Sequence, residues 1–318
     1  MEVNNHTFFP YLLFRTGIDD KKMAAAVMVR VAFDIADGIA TPSDKQDWPL
    51  QAGPWESPYG MMDGDFIFKR GGVDLFVFGS ARTPNNIPAK KMDVRVWMQG
   101  KMDYKITIFG DRIWESGFSG LRISDPKPFT EMPLTLANAY GGVTDWDQLK
   151  FPYANNKYGK GFIWRKENAA GTALPNIEDP KNLINKWNNR PNPVGVCNAP
   201  MNERRIRKAA EFDEEGNLIK LDHLFYNSAF PELIVDQVSE GDEIFVDGVT
   251  GSGIFKFKVP DKKLFVDLTF SDKTDRRSLT IDQIGLEPDK KRGFITYRYS
   301  FNYYINPMTK RIINILND

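Results

Sequence analysis

Two stretches, one near each end of the chain, carry apolar side chains at every second position. Residues 26–35 contain the first set, at Val27, Val29, Val31, Phe33 and Ile35. Residues 294–304 contain the second set, at Ile295, Tyr297, Tyr299, Phe301 and Tyr303. Successive side chains of a β-strand point to opposite faces, so this spacing predicts strands with one buried and one more polar face. The chain is therefore constrained to a fold in which β-sheets supply the core.

Other segments predict further strands and tight turns. The predicted strands cover residues 73–78, 92–98, 104–108, 243–246, 254–259, 264–270 and 278–284. Asp37-Gly38 predicts a hairpin turn, because both residue types tolerate a positive φ angle. Gly110 and Asp111 predict another turn, which continues an antiparallel meander into a short strand at Trp114.

The middle of the chain has a different character, because its periodicity fades and turn-forming residues dominate. Residues 155–202 contain 11 Asn and five Pro. Both types favour turns, since Asn bonds to nearby backbone and Pro fixes φ and lacks an N–H. Aromatic residues in the same region need burial, which argues against disorder. We expect ordered irregular structure there, with short helices near residues 133–140 and 180–187.

Together these patterns predict a mainly β fold of antiparallel sheets, either sandwich-like or built as two packed β halves. A long, loop-rich middle region with short helices joins them. We expect an N-terminal meander in residues 1–124, an aromatic-stapled connecting region in residues 125–240, and C-terminal strands in residues 241–318. The first and last parts are either separate halves or one continuous domain.

Composition argues against several classes of protein. The 42 Lys and Arg residues equal the 42 Asp and Glu residues, whereas nucleic-acid binding relies on excess positive charge to neutralise phosphates. No apolar run approaches the roughly 20 residues that span a bilayer. The N-terminus also lacks the basic start of a secretory signal. We therefore expect a cytoplasmic protein that neither binds nucleic acid nor inserts into a membrane.

The sequence provides little for catalysis or metal binding. It has two histidines, His6 and His223, and one cysteine, Cys197, so neither a catalytic triad nor a structural zinc site is expected. His223 is interpreted as structural. Cys197 is interpreted as a small buried or half-buried residue, because no basic neighbour would activate its thiol. We predict no catalytic residue, no metal and no cofactor.

A series of motifs resembles a known family. In chain order, the motifs occupy residues 65–69, 73–81, 108–114, 128–134, 139–142, 174–178, 190–195, 236–237 and 241–243. Their order and spacing are similar to the domain-of-unknown-function family encoded beside spike and PAAR-repeat genes in bacterial type VI secretion clusters. The resemblance implies a cytoplasmic adaptor or chaperone that helps to load a toxic effector onto the secretion spike, through the PAAR-containing region of the effector. It implies no cofactor and no catalytic residue.

Two groups of residues are candidates for this function. Interface energy concentrates in Trp, Tyr and Arg, so the candidates for partner binding are Arg112, Trp114, Tyr140, Trp146, Trp164, Trp187, Arg204 and Arg205. Motif residues expected to shape the surface are Gly110, Asp111, Pro133, Gly141, Gly142, Asp236 and Gln237. Gly141-Gly142 is interpreted as a helix stop that needs positive φ. For the motif residues, including Arg112, Trp114 and Tyr140, a structural role is weighed above direct contact.

Three functions remain open. The leading hypothesis is an adaptor that binds an effector and, in addition, the spike protein. It would shield an aggregation-prone segment of the effector or add a β-strand to that segment. The first alternative is a carbohydrate-binding or carbohydrate-active β protein, which requires an aromatic platform and, for hydrolysis, two carboxyl groups about 5 to 10 Å apart. The second alternative is a structural component of a contractile injection apparatus.

Overall fold

A computed structural model describes residues 1–118, 120–146, 149–199, 209–306 and 308–318. These residues are mainly β, which confirms the predicted fold class. The helices among them are 3-10 turns of three or four residues, at Pro84–Asn86, Leu136–Asn138, Lys166–Asn168, His223–Tyr226, Pro231–Leu233 and Pro288–Lys290. Within these ranges no helix has the length and hydrophobicity needed to cross a membrane.

The strands are numbered along the chain. β1 to β10 span Glu2–Asn5, Tyr11–Gly17, Lys22–Ala36, Ile39–Pro42, Trp55–Ser57, Gly60–Met62, Val73–Val77, Ser80–Arg82, Lys91–Met98 and Met102–Phe109. β11 to β21 span Trp114–Gly117, Gly120–Ile123, Glu131–Pro133, Tyr140–Gly141, Val143–Trp146, Leu149–Pro152, Lys160–Gly161, Ile177–Glu178, Ala210–Phe212, Leu218–Leu221 and Ile234–Val235. β22 to β28 span Glu243–Asp247, Phe255–Lys258, Leu264–Phe270, Lys273–Ser278, Thr280–Glu287, Arg292–Tyr304 and Arg311–Asn317. The short strands β11 to β21 confirm a loop-rich middle region.

One large sheet organises the molecule. Its twelve strands follow the order β18-β10-β9-β22-β23-β4-β3-β27-β26-β7-β21, and β2 also pairs with β3. Its pairing is antiparallel apart from the β26–β7 and β23–β4 pairs. A second sheet, β1-β28-β24-β25, contributes to the same hydrophobic core. The two ends of the sequence thus share one sheet, while the expected division at residues 124 and 240 stays a prediction.

The long strands β3 and β27 pair at the centre of the large sheet. Their sequences predict one buried and one polar face, but near the centre both faces are buried. Arg30 and Arg298, on the face predicted to be polar, are exposed by only 4% and 3%. The difference arises because residues 43–70 cover this face, where the Gln46 side chain bonds to the backbone N–H and carbonyl of Ala32. Such coverage by a distant segment is invisible to local periodicity.

Charged side chains on the covered face form a buried ion cluster of three arginines and three aspartates: Arg30, Arg70, Arg298, Asp65, Asp74 and Asp282. Asp282 accepts hydrogen bonds from Nε of Arg298 at 3.0 Å and from Nε of Arg70 at 3.1 Å. Asp65 accepts a bond from Nη2 of Arg30 at 2.7 Å. Buried charges persist when they are paired and hydrogen-bonded, so the cluster links β3, β7, β26 and β27 to the covering segment.

A β-bulge in β26 makes part of this cluster possible. The register of β26 against β27 shifts between Ile281 and Gln283, which inserts Asp282 as an extra residue. The consecutive side chains of Asp282 and Gln283 then both reach the covered face. Gln283 accepts a bond from Arg30 at 3.0 Å, whereas regular alternation would turn one of the two side chains away.

A second, smaller core orders the middle region. Its buried members are Trp114, Tyr140, Phe162, Ile163, Ala169, Leu174 and Ile184. Partly buried apolar side chains pack against it, among them Tyr153 and Trp187. The expected burial therefore holds for Phe162 and in part for Tyr153 and Trp187, whereas Tyr158 and Trp164 are exposed by 53% and 49%.

Three local predictions are wrong for identifiable reasons. The 3-10 turn Leu136–Asn138 lies within the segment predicted near residues 133–140. Residues 180–187, however, form turns, bends and irregular backbone instead of a helix. There the Asn189 side chain accepts bonds from the N–H groups of Asn185 and Lys186 at 3.0 and 2.8 Å. Such side-chain bonds to the backbone compete with helical hydrogen bonds.

Gly110 and Asp111 do not form the predicted hairpin turn, because β11 pairs with β12 and not with β10. A Cβ atom at Gly110 would lie 1.8 Å from the carbonyl oxygen of Lys127, so close backbone approach explains this glycine. The carboxylate of Asp111 accepts a bond from the Asn176 side chain at 3.2 Å. Both residues fix the point at which the chain leaves the large sheet.

Gly141 and Gly142 have φ angles of +150° and +100°, so the predicted positive φ is confirmed. The interpretation as a helix stop is wrong, because the extended residue Ala139 follows the 3-10 turn Leu136–Asn138, and Gly141 itself belongs to the strand β14. A Cβ atom at Gly141 would lie 2.0 Å from the carbonyl oxygen of Asn156. These glycines therefore allow two backbone segments of the middle region to come into contact.

Candidate partner-binding surface

The outward face of β10, β9, β22 and β23 carries a row of side chains aligned by strand register. Trp97 on β9 lies opposite Asp103 on β10 and opposite Phe245 on β22. Phe245 in turn lies opposite Lys256 on β23. Val96, the neighbour of Trp97, is fully buried, so strand alternation directs the row away from the core. We call the surface around this row the Trp97 face.

The two aromatic rings are held in a stack between two cations. The ring centroids of Trp97 and Phe245 are 5.1 Å apart, with 14° between the ring planes. The Arg95 guanidinium lies 4.8 Å from the centroid of Trp97, and Nζ of Lys256 lies 5.7 Å from the centroid of Phe245. Stacking and cation–π attraction favour this arrangement, so the rings are pre-organised on a rigid sheet.

The charges around the rings are paired within the chain. Arg95 donates two bonds to the carboxylate of Asp103, at 2.8 and 2.6 Å, and this hydrogen bonding lowers the pKa of Asp103. Lys256 pairs with Glu243 at 2.7 Å. These pairs leave the charges around the two rings balanced.

The two rings line a concavity of about 860 Å³, together with Arg95, Asp103 and Lys256. The turn at Gln99-Gly100-Lys101 forms part of its wall, and the half-exposed side chain of Ile254 forms another part. An apolar centre with a charged rim is typical of protein interfaces, whose binding energy concentrates in Trp, Tyr and Arg. A sugar platform needs an open ring face, whereas both rings here lie between another ring and a cation.

Trp97 is absent from the candidates selected by sequence, although β9 contains a signal for it. The predicted strand at residues 92–98 places Trp97 in the polar register with Asp93 and Arg95. A large aromatic residue on the polar side of a half-buried strand is a candidate for surface contact. Its partner Phe245 is not adjacent in sequence, and only the pairing of β9 with β22 brings the two rings together.

The model of a protein family matches residues 20–298, and that family is described as "Uncharacterized protein conserved in bacteria (DUF2169)". The chain belongs to this family. The match includes all four strands of the Trp97 face. No curated protein matches the chain, and no solved structure matches it.

In this DUF2169 member, three of the residues predicted to bind a partner are inside the protein. The exposed fractions are 6% for Arg112 and 3% for both Trp114 and Tyr140. Arg112 donates a bond to the carbonyl of Pro175 at 2.7 Å and pairs with Glu178. Trp114 and Tyr140 belong to the second core. Burial therefore favours a structural role for all three residues, while their contact with a partner stays a prediction.

The remaining predicted contact residues occupy different positions. Trp164 is 49% exposed and is available for contact, whereas Trp187 is half-buried against the second core. Neither tryptophan lines the concavity of the Trp97 face. Trp146 ends β15, but its side chain lies outside the described residues, and so do Arg204 and Arg205.

Motif residues shape loops of the DUF2169 chain. The carbonyl of Pro133, at the end of β13, accepts a bond from the Asn138 side chain at 2.8 Å. Asp236 and Gln237 are exposed residues that follow β21. The carbonyl of Gln237 accepts a bond from Nζ of Lys101 at 3.1 Å, which joins this motif to the wall of the concavity.

The residues considered for chemistry lie apart from this surface. Cys197 is buried, as expected, and burial raises the pKa of its thiol to about 12. His223 is exposed and begins a 3-10 turn that follows Asp222. Among the described residues, no group of three or more His, Cys, Asp and Glu side chains is placed to hold a metal ion.

Proposed function

We propose that this protein is a non-enzymatic adaptor that binds a polypeptide on the Trp97 face. The observation that supports this function is the stack of Trp97 and Phe245 between two cations, in the lining of a concavity. Rigid aromatic anchors lose little conformational entropy on binding and bury a large area. The neutral balance of charges suits a partner recognised by shape and apolar contact.

The partner proposed is a type VI secretion effector, contacted through its PAAR-containing region, with the spike protein as a further contact. The support for this part is the ordered series of motifs between residues 65 and 243, which resembles the adaptor family encoded beside such genes. In this role the protein is bacterial and cytoplasmic, and it holds the effector until the spike assembles. The adaptor requires neither cofactor nor catalytic residue.

The test is affinity capture of the full chain, tagged and expressed at its native level in a bacterium that encodes it. The wild-type chain is expected to recover a PAAR-containing effector or the spike protein. The double variant Trp97→Ala/Phe245→Ala removes the anchors, and a loss of about 2 kcal/mol, or roughly thirtyfold in affinity, is expected. Tyr304→Ala, which removes an exposed aromatic side chain elsewhere on the large sheet, is the matched control and retains binding.

Four results would contradict the proposal. Repeated native-level captures that recover only general chaperones would remove the effector as partner. Equal recovery by the double variant and the wild-type chain would remove the Trp97 face. Stoichiometric presence of the chain in purified contracted particles would support a structural component instead, and glycan binding or sugar release would support the carbohydrate alternative.

A further inference from the structure

The strand β2 lies at an open edge of the large sheet. Its seven residues, Tyr11–Gly17, pair in regular antiparallel register with Met23–Val29 of β3. Among the described residues, β2 has no second neighbouring strand. A strand with one neighbour presents half of its backbone groups to any chain that approaches.

Two flanking hydrogen bonds establish which backbone groups face outward. The carbonyl of Pro10 accepts a bond from the N–H of Arg30 at 3.1 Å, and the N–H of Ile18 donates to the carbonyl of Lys22 at 2.9 Å. Hydrogen-bonded and non-bonded pairs alternate along an antiparallel ladder. The even-numbered residues of β2 therefore bond to β3, and the backbone groups of Tyr11, Leu13, Arg15 and Gly17 point outward.

Three other edge strands of the two larger sheets, β18, β21 and β25, are short or charged, but β2 is not. The large sheet ends in β18 and β21, which have two residues each. The edge strand β25 of the second sheet is exposed throughout and carries four charged residues, Lys273, Asp275, Arg276 and Arg277. By contrast, β2 has one charged residue, no proline and no bulge. Short length, charge, proline and bulges are the usual devices against strand addition.

The side chains of β2 indicate what an added strand would contain. On one face, Phe14 contacts Phe66 edge to face, with ring centroids 4.9 Å apart, and Phe66 is 40% exposed. On the other face, Leu13 is half-buried and Tyr11 is 40% exposed. Because both faces carry partly exposed apolar side chains, a strand that covers them has consecutive apolar residues and no proline.

We propose that β2 is a strand-addition site, at which an extended apolar segment of a partner polypeptide pairs with the outward groups of residues 11–17. This inference rests on the proposed function, because the segment belongs to the polypeptide that the adaptor carries. The added strand continues the large sheet by one strand. An apolar segment held there is shielded from self-association until it is released.

The probe is a synthetic peptide copying residues 22–29, which the structure pairs with the inner edge of β2. Residue-resolved amide hydrogen exchange is measured on the full chain. In the free chain, the amides of Leu12, Phe14 and Thr16 exchange slowly and those of Leu13 and Arg15 exchange fast. Added peptide is expected to slow the exchange of the Leu13 and Arg15 amides by about tenfold or more.

Two chain variants separate backbone pairing from side-chain contact. Arg15→Pro removes an outward N–H but no bond to β3, and proline is tolerated at such edge positions. It is expected to abolish the peptide-induced protection at Leu13, whereas Arg15→Ala retains it. The matched control is the same peptide with proline in place of Ala25 and Val27, added to the wild-type chain. Because these prolines remove N–H groups from the peptide, this control tests backbone pairing even if Arg15→Pro fails to fold.

The proposal is overturned if the copied peptide protects neither amide, or if the proline-containing peptide protects both equally. It is also overturned if the free chain self-associates with rising concentration and this association protects the Leu13 and Arg15 amides. In that case a second copy of the chain, and not a partner polypeptide, pairs with β2. The experiment needs no effector, so its failure leaves the capture test of the Trp97 face unaffected. Failure of the capture test, in turn, does not change the hydrogen exchange expected for β2 with the copied peptide.

Discussion

The substitution Asp282→Asn removes one negative charge from the buried ion cluster while leaving the side-chain shape nearly unchanged. Asp282 is 7% exposed, and it pairs with Arg298 and Arg70, which are exposed by 3% and 4%. Removing one partner of a buried ion pair costs about 3–5 kcal/mol, because the remaining charge stays buried and uncompensated. Asparagine can still accept one hydrogen bond, so the expected loss in the free energy of unfolding is about 3 kcal/mol.

The pH dependence of stability provides a second check on the same substitution. Burial by itself would raise the pKa of Asp282, but the charges of Arg298 and Arg70 outweigh burial and lower the pKa below 3.8. A carboxyl group whose pKa is lowered by folding adds stability above its unfolded pKa and loses that stability as pH falls through its folded pKa. The wild-type chain should therefore lose stability below about pH 4, with a steeper slope than the variant.

The assay is equilibrium unfolding in urea, followed by tryptophan fluorescence, for the wild-type chain and two variants. Asp103→Asn is the matched control, since Asp103 also receives two bonds from one arginine, Arg95, but at an exposed site. Surface pairs contribute little, because solvent screens them, so its midpoint should stay close to the wild-type value. A loss below about 1 kcal/mol for Asp282→Asn, or equal losses for both variants, would refute the argument that burial makes this cluster costly to break.

Three further predictions follow from burial and close backbone approach. Burial raises the pKa of the Cys197 thiol to about 12. A thiol reagent should therefore react with it about a hundredfold more slowly in the native chain than in urea. Equal rates would contradict its burial. Gly110→Ala should lower the free energy of unfolding by about 1–3 kcal/mol, because its Cβ would clash with the Lys127 carbonyl. Gly53→Ala is the control, since a Cβ there meets open space, and it should change the free energy of unfolding by no more than roughly 0.5 kcal/mol. Urea unfolding compares the two variants. Burial raises the pKa of Tyr140 to about 12, above its unfolded value, so its contribution to stability is present below about pH 10 and lost as pH rises towards 12. Alkaline unfolding of the wild-type chain and Tyr140→Phe should therefore differ in this range, and identical pH profiles would contradict the shift.

Several local features of the fold can be predicted from sequence because they depend on neighbouring residues. The hairpin turn at Asp37-Gly38 joins β3 to β4, with φ angles of +50° and +81°. The apolar segment at residues 73–78 forms β7, which is buried throughout. These features follow from residue types that tolerate positive φ and from the two-residue repeat of a strand.

The candidate site was less predictable because it depends on which strands pair. Of the aromatic residues selected by sequence, Trp114 and Tyr140 are buried in the second core. Trp97 and Phe245 come into contact through the β9–β22 pair, between segments that are distant in sequence. A single sequence contains local periodicity, but it does not state which distant strand lies beside which.

By itself, the amino-acid sequence determined that this chain is built from sheets, where many of its strands and turns lie, and that its single cysteine is buried or half-buried. Tertiary structure decided that Arg30 and Arg298 lie beneath a covering segment, that Asp282 joins them through a bulge, and that β2 keeps an open edge. The physical reason is one of range. Backbone preferences and side-chain alternation act between near neighbours, whereas charge pairing and strand order depend on contacts that exist only after the distant parts of the chain have come together.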